Sequence, residues 1–97
     1  MTEDGEEMAR RAFRVVGRVQ GVGFRWWTRR TAQELGLGGW VRNEVDGSVV
    51  VHGVGSAGAL ERLAEALEDG PASARVDTVQ EITPGGALVT GEFRIEA

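Results

Sequence analysis

The chain has 97 residues, 41 % hydrophobic and 27 % charged, with no cysteine; it is sized for one two-layer domain of ordinary composition and has no means for disulfides, thiol catalysis or thiolate metal sites. Its net charge of −4 is carried by Glu3, Asp4, Glu6 and Glu7, and the rest of the chain sets its acids evenly against arginines with no lysine, which excludes a basic nucleic-acid-binding stripe, a Schiff-base lysine and a P-loop lysine. No apolar stretch is long enough to span a bilayer, and the start MTEDGEEMAR lacks the apolar segment of a secretory signal, so a cytoplasmic protein with no membrane partner is expected.

Residues 1–10 are polar and acidic and are expected to form a disordered tail, leaving 11–97 as the domain. Phe13, Val15, Gly17 and Val19 share one face of a period-two pattern, the mark of a first strand. Gly17–Arg25 then reads GRVQGVGFR, a loop rich in glycine with no acid in it. A first helix is predicted over about Arg25 to Leu35, with Trp27, Thr31 and Leu35 toward the core and Gly36 as its stop. The second strand is expected from Gly39 to Asn43, Asp46-Gly47 as a hairpin turn, and the third strand from Ser48 to Val54. Ser56 is a candidate N-cap for a helix over Ala57 to Glu68, whose Leu60, Leu63, Ala64 and Leu67 repeat at helical spacing. Gly70-Pro71 ends that helix, Arg75 to Ile82 reads as a fourth strand, Pro84-Gly85-Gly86 as a turn, and Phe93 and Ile95 mark a short last strand.

The order β-α-β-β-α-β defines an α+β, ferredoxin-like sandwich: an antiparallel four-stranded sheet, a short extra C-terminal strand, and two helices on one face. The opposite face is expected to stay open, and Val50 and Val54 on it are the sequence's motive for self-association or docking.

The glycine loop is where chemistry is expected. Glycine admits positive φ and close backbone approach, successive N–H groups can form an anion nest, and a helix N-terminus adds a positive dipole end. Arg25 closes the loop with a fork suited to two phosphate oxygens. A tight structural turn is the plain alternative. A nucleotide site is not supported, because Phe24-Arg25 replaces the G-K-[ST] of a P-loop and Trp26 stands at the last glycine of a dinucleotide fingerprint. His52 is the one histidine and reads as a strand-face residue, since no other ligand type lies at metal spacing. Asn43 taken alone could be a turn residue.

GRVQGVGFR at 17–25 followed by GWVRNEVDGSV at 39–49, with GPASARVDTV and the closing F-R-I, resembles the acylphosphatase family over about residues 11–96. The resemblance implies hydrolysis of the carboxyl–phosphate bond of acyl phosphates, with no metal or other cofactor. It implies Arg25 and Asn43 as catalytic residues, and a phosphate cradle of Arg18, Val19, Gln20, Gly21, Val22 and Gly23 together with Arg25. Because the leaving carboxylate is a weak base, placement and charge stabilisation are the demands. Asn43 would aim the attacking water, and a phosphate oxygen of the substrate would take its proton, as is proposed for the family. The expected partners are an acyl phosphate and phosphate, and a monomer is expected. The competing reading is a non-catalytic ferredoxin-like binding or regulatory module. Trp26, Trp27, Val50, Gly53 and Val54 depart from the family's commonest residues.

Overall fold

The computed structural model describes residues 8–86 and 91–96. The elements are β1 (Met8–Arg18), α1 (Phe24–Glu34), β2 (Gly38–Asn43), β3 (Val49–Ser56), α2 (Ala57–Asp69), β4 (Arg75–Ile82) and β5 (Phe93–Glu96). The sheet has the order β4-β1-β3-β2-β5. The pairs β1–β3, β1–β4 and β2–β3 are antiparallel, and β2–β5 is parallel. The expected ferredoxin-like α+β fold is therefore present, and the extra C-terminal strand extends the sheet to five as a parallel edge.

Local signals set the element ends. Asp46 Oδ1 accepts from the Ser48 amide at 2.9 Å and the Ser48 hydroxyl at 2.6 Å, tying the Asp46-Gly47 turn between β2 and β3. Ser56 caps α2, its hydroxyl accepting from the Ala59 amide at 3.2 Å; this satisfies one of the orphan donors of a helix start. The strand β1 begins at Met8, inside the segment expected as tail, because Met8–Arg10 continue the ladder against Val54–Ser56. Residues 1–7 lie outside those described.

The core lies between the sheet and the helices. Phe13 and Val15 of β1 and Val49 and Val51 of β3 share a buried cluster with Leu60, Leu63 and Leu67 of α2, and Val41 of β2 and Phe93 of β5 join it on the side that α1 covers. Each such side chain contributes roughly 1.5–3 kcal/mol by leaving water. Gly53 makes room for this contact: a Cβ there would come within 2.9 Å of Leu60 Cδ2 and 3.2 Å of Leu63 Cδ2. On α1 the inward line is Phe24, Thr28 and Ala32, with Trp27 and Leu35 only partly buried. The line expected through Trp27, Thr31 and Leu35 is thus rotated by one residue. Small residues let the helix axis approach the sheet, and the larger ones close its sides.

The other sheet face departs from expectation. Alternation puts Ala12, Val50, His52, Val54 and Trp40 on it, yet Val50 is 6 % exposed and Val54 2 %. The edge of the Trp40 ring meets His52 at 5.4 Å between centroids, and Arg42 stacks over Trp40 at 4.6 Å. The segment after β4 lies over the same face, where Arg10 donates to the Gly86 carbonyl at 3.2 Å. A cavity of about 380 Å³ remains between Trp40, His52 and Thr83, Gly85 and Gly86. The valines are thus not an open apolar patch, and the docking expected from them loses its motive.

His52 is 1 % exposed, and neither ring nitrogen has a hydrogen-bond partner among the described residues. Burial, reinforced by the charge of Arg10, lowers its pKa from 6.5. The unfolded chain therefore binds a proton below about pH 6.5 that the folded chain resists, and stability rises with pH across that window. Asp46 and Glu81 are also held below their ordinary values, by the Ser48 hydroxyl and by Arg11 respectively. Their contributions are lost only at lower pH, as each carboxylate takes a proton. The expected outcome is an unfolding free energy that increases from about pH 5 to about pH 7, with His52→Leu removing the increase in that range. Urea melts across the range measure it; an unchanged slope in the variant would contradict the assignment.

Candidate active site

Strand direction brings the loop and Asn43 together. Both β1 and β2 run antiparallel to β3, so both end at the same side of the sheet. Asn43, two residues beyond core-facing Val41 and paired with Val49, lies on the helix face of that end, beside the start of α1. The strand β5 runs parallel to β2 and brings Ile95 and Glu96 there as well.

A cleft of about 190 Å³ opens at this point, lined by Val19, Gly21, Gly23, Phe24, Arg25, Trp26, Asn43 and Ile95. That is several times the roughly 30 Å³ share of one water. Gly21 and Gly23 have φ of 75° and 79°. A Cβ at either would meet nothing within 4 Å, so glycine serves the left-handed backbone there and not the space. Gly23 is the residue before α1, and no side chain caps that helix. The first turn of α1 also carries no acid. In contrast to α2 with its Ser56 cap, the first amides of α1 keep their hydrogen-bonding capacity for something in the cleft.

Arg25 Nη1 donates to the Glu96 carbonyl at 3.1 Å, which tethers the guanidinium to the end of β5. Asn43 Oδ1 is buried with no partner among the described residues. Such an acceptor costs roughly 1–3 kcal/mol unless something donates to it, and Asn43 is one of the residues lining the cleft.

Of the residues expected to form the cradle, Val19, Gly21, Gly23 and Arg25 line the cleft, and the structure brings Asn43 to them. Arg18, Gln20 and Val22 do not line it. Arg18 is an exposed residue at the end of β1, paired with Arg75 of β4. Val22 packs against the core, and its carbonyl accepts from the Ser73 hydroxyl at 2.8 Å. Gln20 is a strut: its Nε2 donates to the Glu44 carbonyl at 2.7 Å and the Ser48 carbonyl at 2.9 Å. It thereby clamps the loop to the β2–β3 hairpin that carries Asn43. The contributions of Ile95 and of the Glu96 carbonyl were not legible beforehand, because they depend on β5 adding parallel to β2. Among the described residues no three or more of His, Asp and Glu come together to hold a metal ion.

The model of the family Acylphosphatase matches residues 11–95. The acylphosphatase of Nitratidesulfovibrio vulgaris (strain DP4) is 58 % identical over 72 residues, covering 74 % of this chain and 72 % of that protein. The crystal structure of acylphosphatase from Bacillus subtilis superposes with a TM-score of 0.84 at 31 % identity, over 94 % of this chain and all of that one (100 %). The structure of an acylphosphatase from Coxiella burnetii gives a TM-score of 0.81 at 35 % identity, over 99 % of this chain and 100 % of that one.

The strut has a measurable consequence. Gln20→Ala removes two hydrogen bonds while their carbonyl acceptors keep backbone donors, Gly47 on Glu44 and Glu44 on Ser48. The expected outcome is a loss of about 1–2 kcal/mol in urea melts together with weaker inorganic phosphate binding by calorimetry. Unaltered phosphate affinity would show that the loop holds its shape without the clamp.

Proposed function

The chain belongs to the acylphosphatase family, and on that premise we propose how its residues divide the work of hydrolysing acyl phosphates to carboxylate and inorganic phosphate. Arg25 and the main-chain amides from Val19 to the start of α1 bind the phosphoryl group. Asn43 orients the attacking water. Transition-state charge spreads over the non-bridging oxygens in phosphoryl transfer, and a nest of N–H donors with one guanidinium matches that spread. The donors are set by glycine geometry before substrate arrives, so they need no reorganisation during reaction.

The observation that carries this reading is that Asn43, whose Oδ1 has no partner among the described residues, lines the same cleft as Arg25 and the loop. A carboxamide offers one acceptor and two donors and does not take a proton near neutrality. It can hold a water in line without generating hydroxide. A phosphate oxygen of the substrate accepts the water's proton, and the carboxylate leaves unprotonated because it is a weak base. His52 has no part in this, since it lies on the opposite face of the sheet from Asn43. No residue is assigned to a metal or cofactor. A cytoplasmic monomer is the state this reading favours, and gel filtration across a concentration series tests it.

Two variants separate the roles. Arg25→Ala is expected to abolish measurable turnover and to weaken phosphate binding by about 2–5 kcal/mol, the scale for breaking a desolvated charge-assisted contact. Asn43→Ala is expected to lower kcat roughly 100-fold, as for one positioned polar group, with a much smaller effect on phosphate affinity. The assay follows loss of a synthetic acyl phosphate in the presence of a chelator, with calorimetry of inorganic phosphate alongside. Full turnover by Asn43→Ala would remove the water-orienting role, and dependence on added metal would remove the metal-free scheme.

A further inference from the structure

The phosphoryl site has an apolar rim that the chemistry above does not use. Trp26 is 58 % exposed and Ile95 36 %, and both line the cleft beside Arg25. Scattered exposed hydrophobics are ordinary, and Met8, Val16 and Val45 are of that kind, none of them lining the cleft. Trp26 and Ile95 differ because two separate elements, α1 and β5, deliver them to one place.

The indole is not there to fill the core, since α1 buries Phe24, Thr28 and Ala32 instead. It is nevertheless held. Arg30, one helical turn on, stacks over the Trp26 ring with its guanidinium carbon 5.6 Å from the centroid. Arg30 Nε in turn lies 3.5 Å from a Glu34 carboxylate oxygen, one turn further. A cation over the ring and an ion pair behind it restrict an otherwise exposed side chain. A restrained aromatic loses little entropy on contact, which is the property of a binding surface.

In-line displacement sets the leaving carboxylate opposite the attacking water. With the water held by Asn43, the acyl half departs toward the mouth of the cleft, whose lining carries exposed Trp26 and, on the strand beside Asn43, Ile95. We propose that Trp26 and Ile95 form a shelf for the acyl half of the substrate, so that this chain favours aromatic and branched acyl phosphates over acetyl phosphate. The inference rests on the phosphoryl site proposed above.

The test uses two phosphonates that cannot turn over, benzylphosphonate and methylphosphonate, titrated calorimetrically into the full chain, with inorganic phosphate as the reference. Wild type is expected to bind benzylphosphonate about tenfold more tightly than methylphosphonate. Trp26→Ala is expected to reduce that ratio to about twofold or less, Trp26→Phe to keep most of it, and Ile95→Ala to lower it about threefold. The benzoyl-to-acetyl phosphate ratio of kcat/KM is expected to fall in parallel, with the change residing in KM, because an acyl contact made equally in ground and transition states is uniform binding. An equal loss on both phosphonates, or a wild-type ratio near one, would overturn the shelf. If wild type bound neither phosphonate nor phosphate, the phosphoryl site itself would fall, and the shelf with it. Should Trp26→Ala not fold, the ratio in Ile95→Ala and Trp26→Phe decides the matter.

Discussion

Three strands, β1, β2 and β5, run in the same direction, and their C-terminal ends meet at one end of the sheet. This follows from connectivity: β1 and β2 both pair antiparallel with the strand between them, and β5 adds parallel to β2. Everything at the cleft depends on that convergence. The end of β1 feeds the glycine loop, the end of β2 presents Asn43, and the end of β5 supplies Ile95 and the carbonyl that positions Arg25. The helix side of the sheet is dry because α2 covers β1, β3 and β4 with Leu60, Leu63 and Leu67 and α1 covers β2 and β5 with Phe24, Thr28 and Ala32. The cleft therefore sits at the rim of a rigid core, where fixed donors act in a lower dielectric than bulk water.

The local conflicts in the chain fall where that arrangement needs them. α2 has the features that stabilise a helix start, with a Ser56 cap accepting from the Ala59 amide. α1 has neither a side-chain cap nor a first-turn acid, and it is preceded by two glycines in left-handed conformations. A helix designed only for stability would carry a cap there. Leaving those amides unfilled costs stability in the empty protein and lowers the energy of an anion placed against them. Gln20 limits the cost by fixing the loop against the hairpin, so the donors stay aligned without ligand.

Much of this was legible from residue order. The helix and strand sequence, the Asp46-Gly47 turn, the Ser56 cap and the fourth strand follow from periodicity and turn chemistry, signals that act over a few residues. Three features do not follow from such signals. The inward line of α1 runs through Thr28 and Ala32 because packing distance favours small residues, whereas a reading by size puts Trp27 and Leu35 there. The strand β1 starts at Met8 because β3 offers it partners as far as Ser56, a nonlocal cause. The burial of Val50 and Val54 depends on Trp40, Arg42 and the segment after β4 folding over the second face. At the cleft, the glycines and Arg25 stand out by composition. Gln20, by contrast, is an ordinary loop residue until its two carbonyl partners are seen.

Among the described residues Thr28 Oγ1, Asn43 Oδ1 and the His52 ring nitrogens are buried without partners; Asn43 and His52 lie on opposite faces of the same sheet, and the contrast between those two bears on the chemistry. The imidazole is the group a hydrolase could use as a general base, yet it is roofed by Trp40 on the face away from the loop. The group given to the cleft is a carboxamide, which cannot titrate near neutrality. A reaction that needed a strong base would be poorly served by this choice. Acyl phosphates need none, because the departing carboxylate is already stable as an anion and the phosphoryl oxygens can receive the water's proton. What remains is to hold water and phosphorus in line. For that task a neutral acceptor on a rigid strand end has an advantage over an imidazole: its hydrogen-bonding pattern does not change with pH.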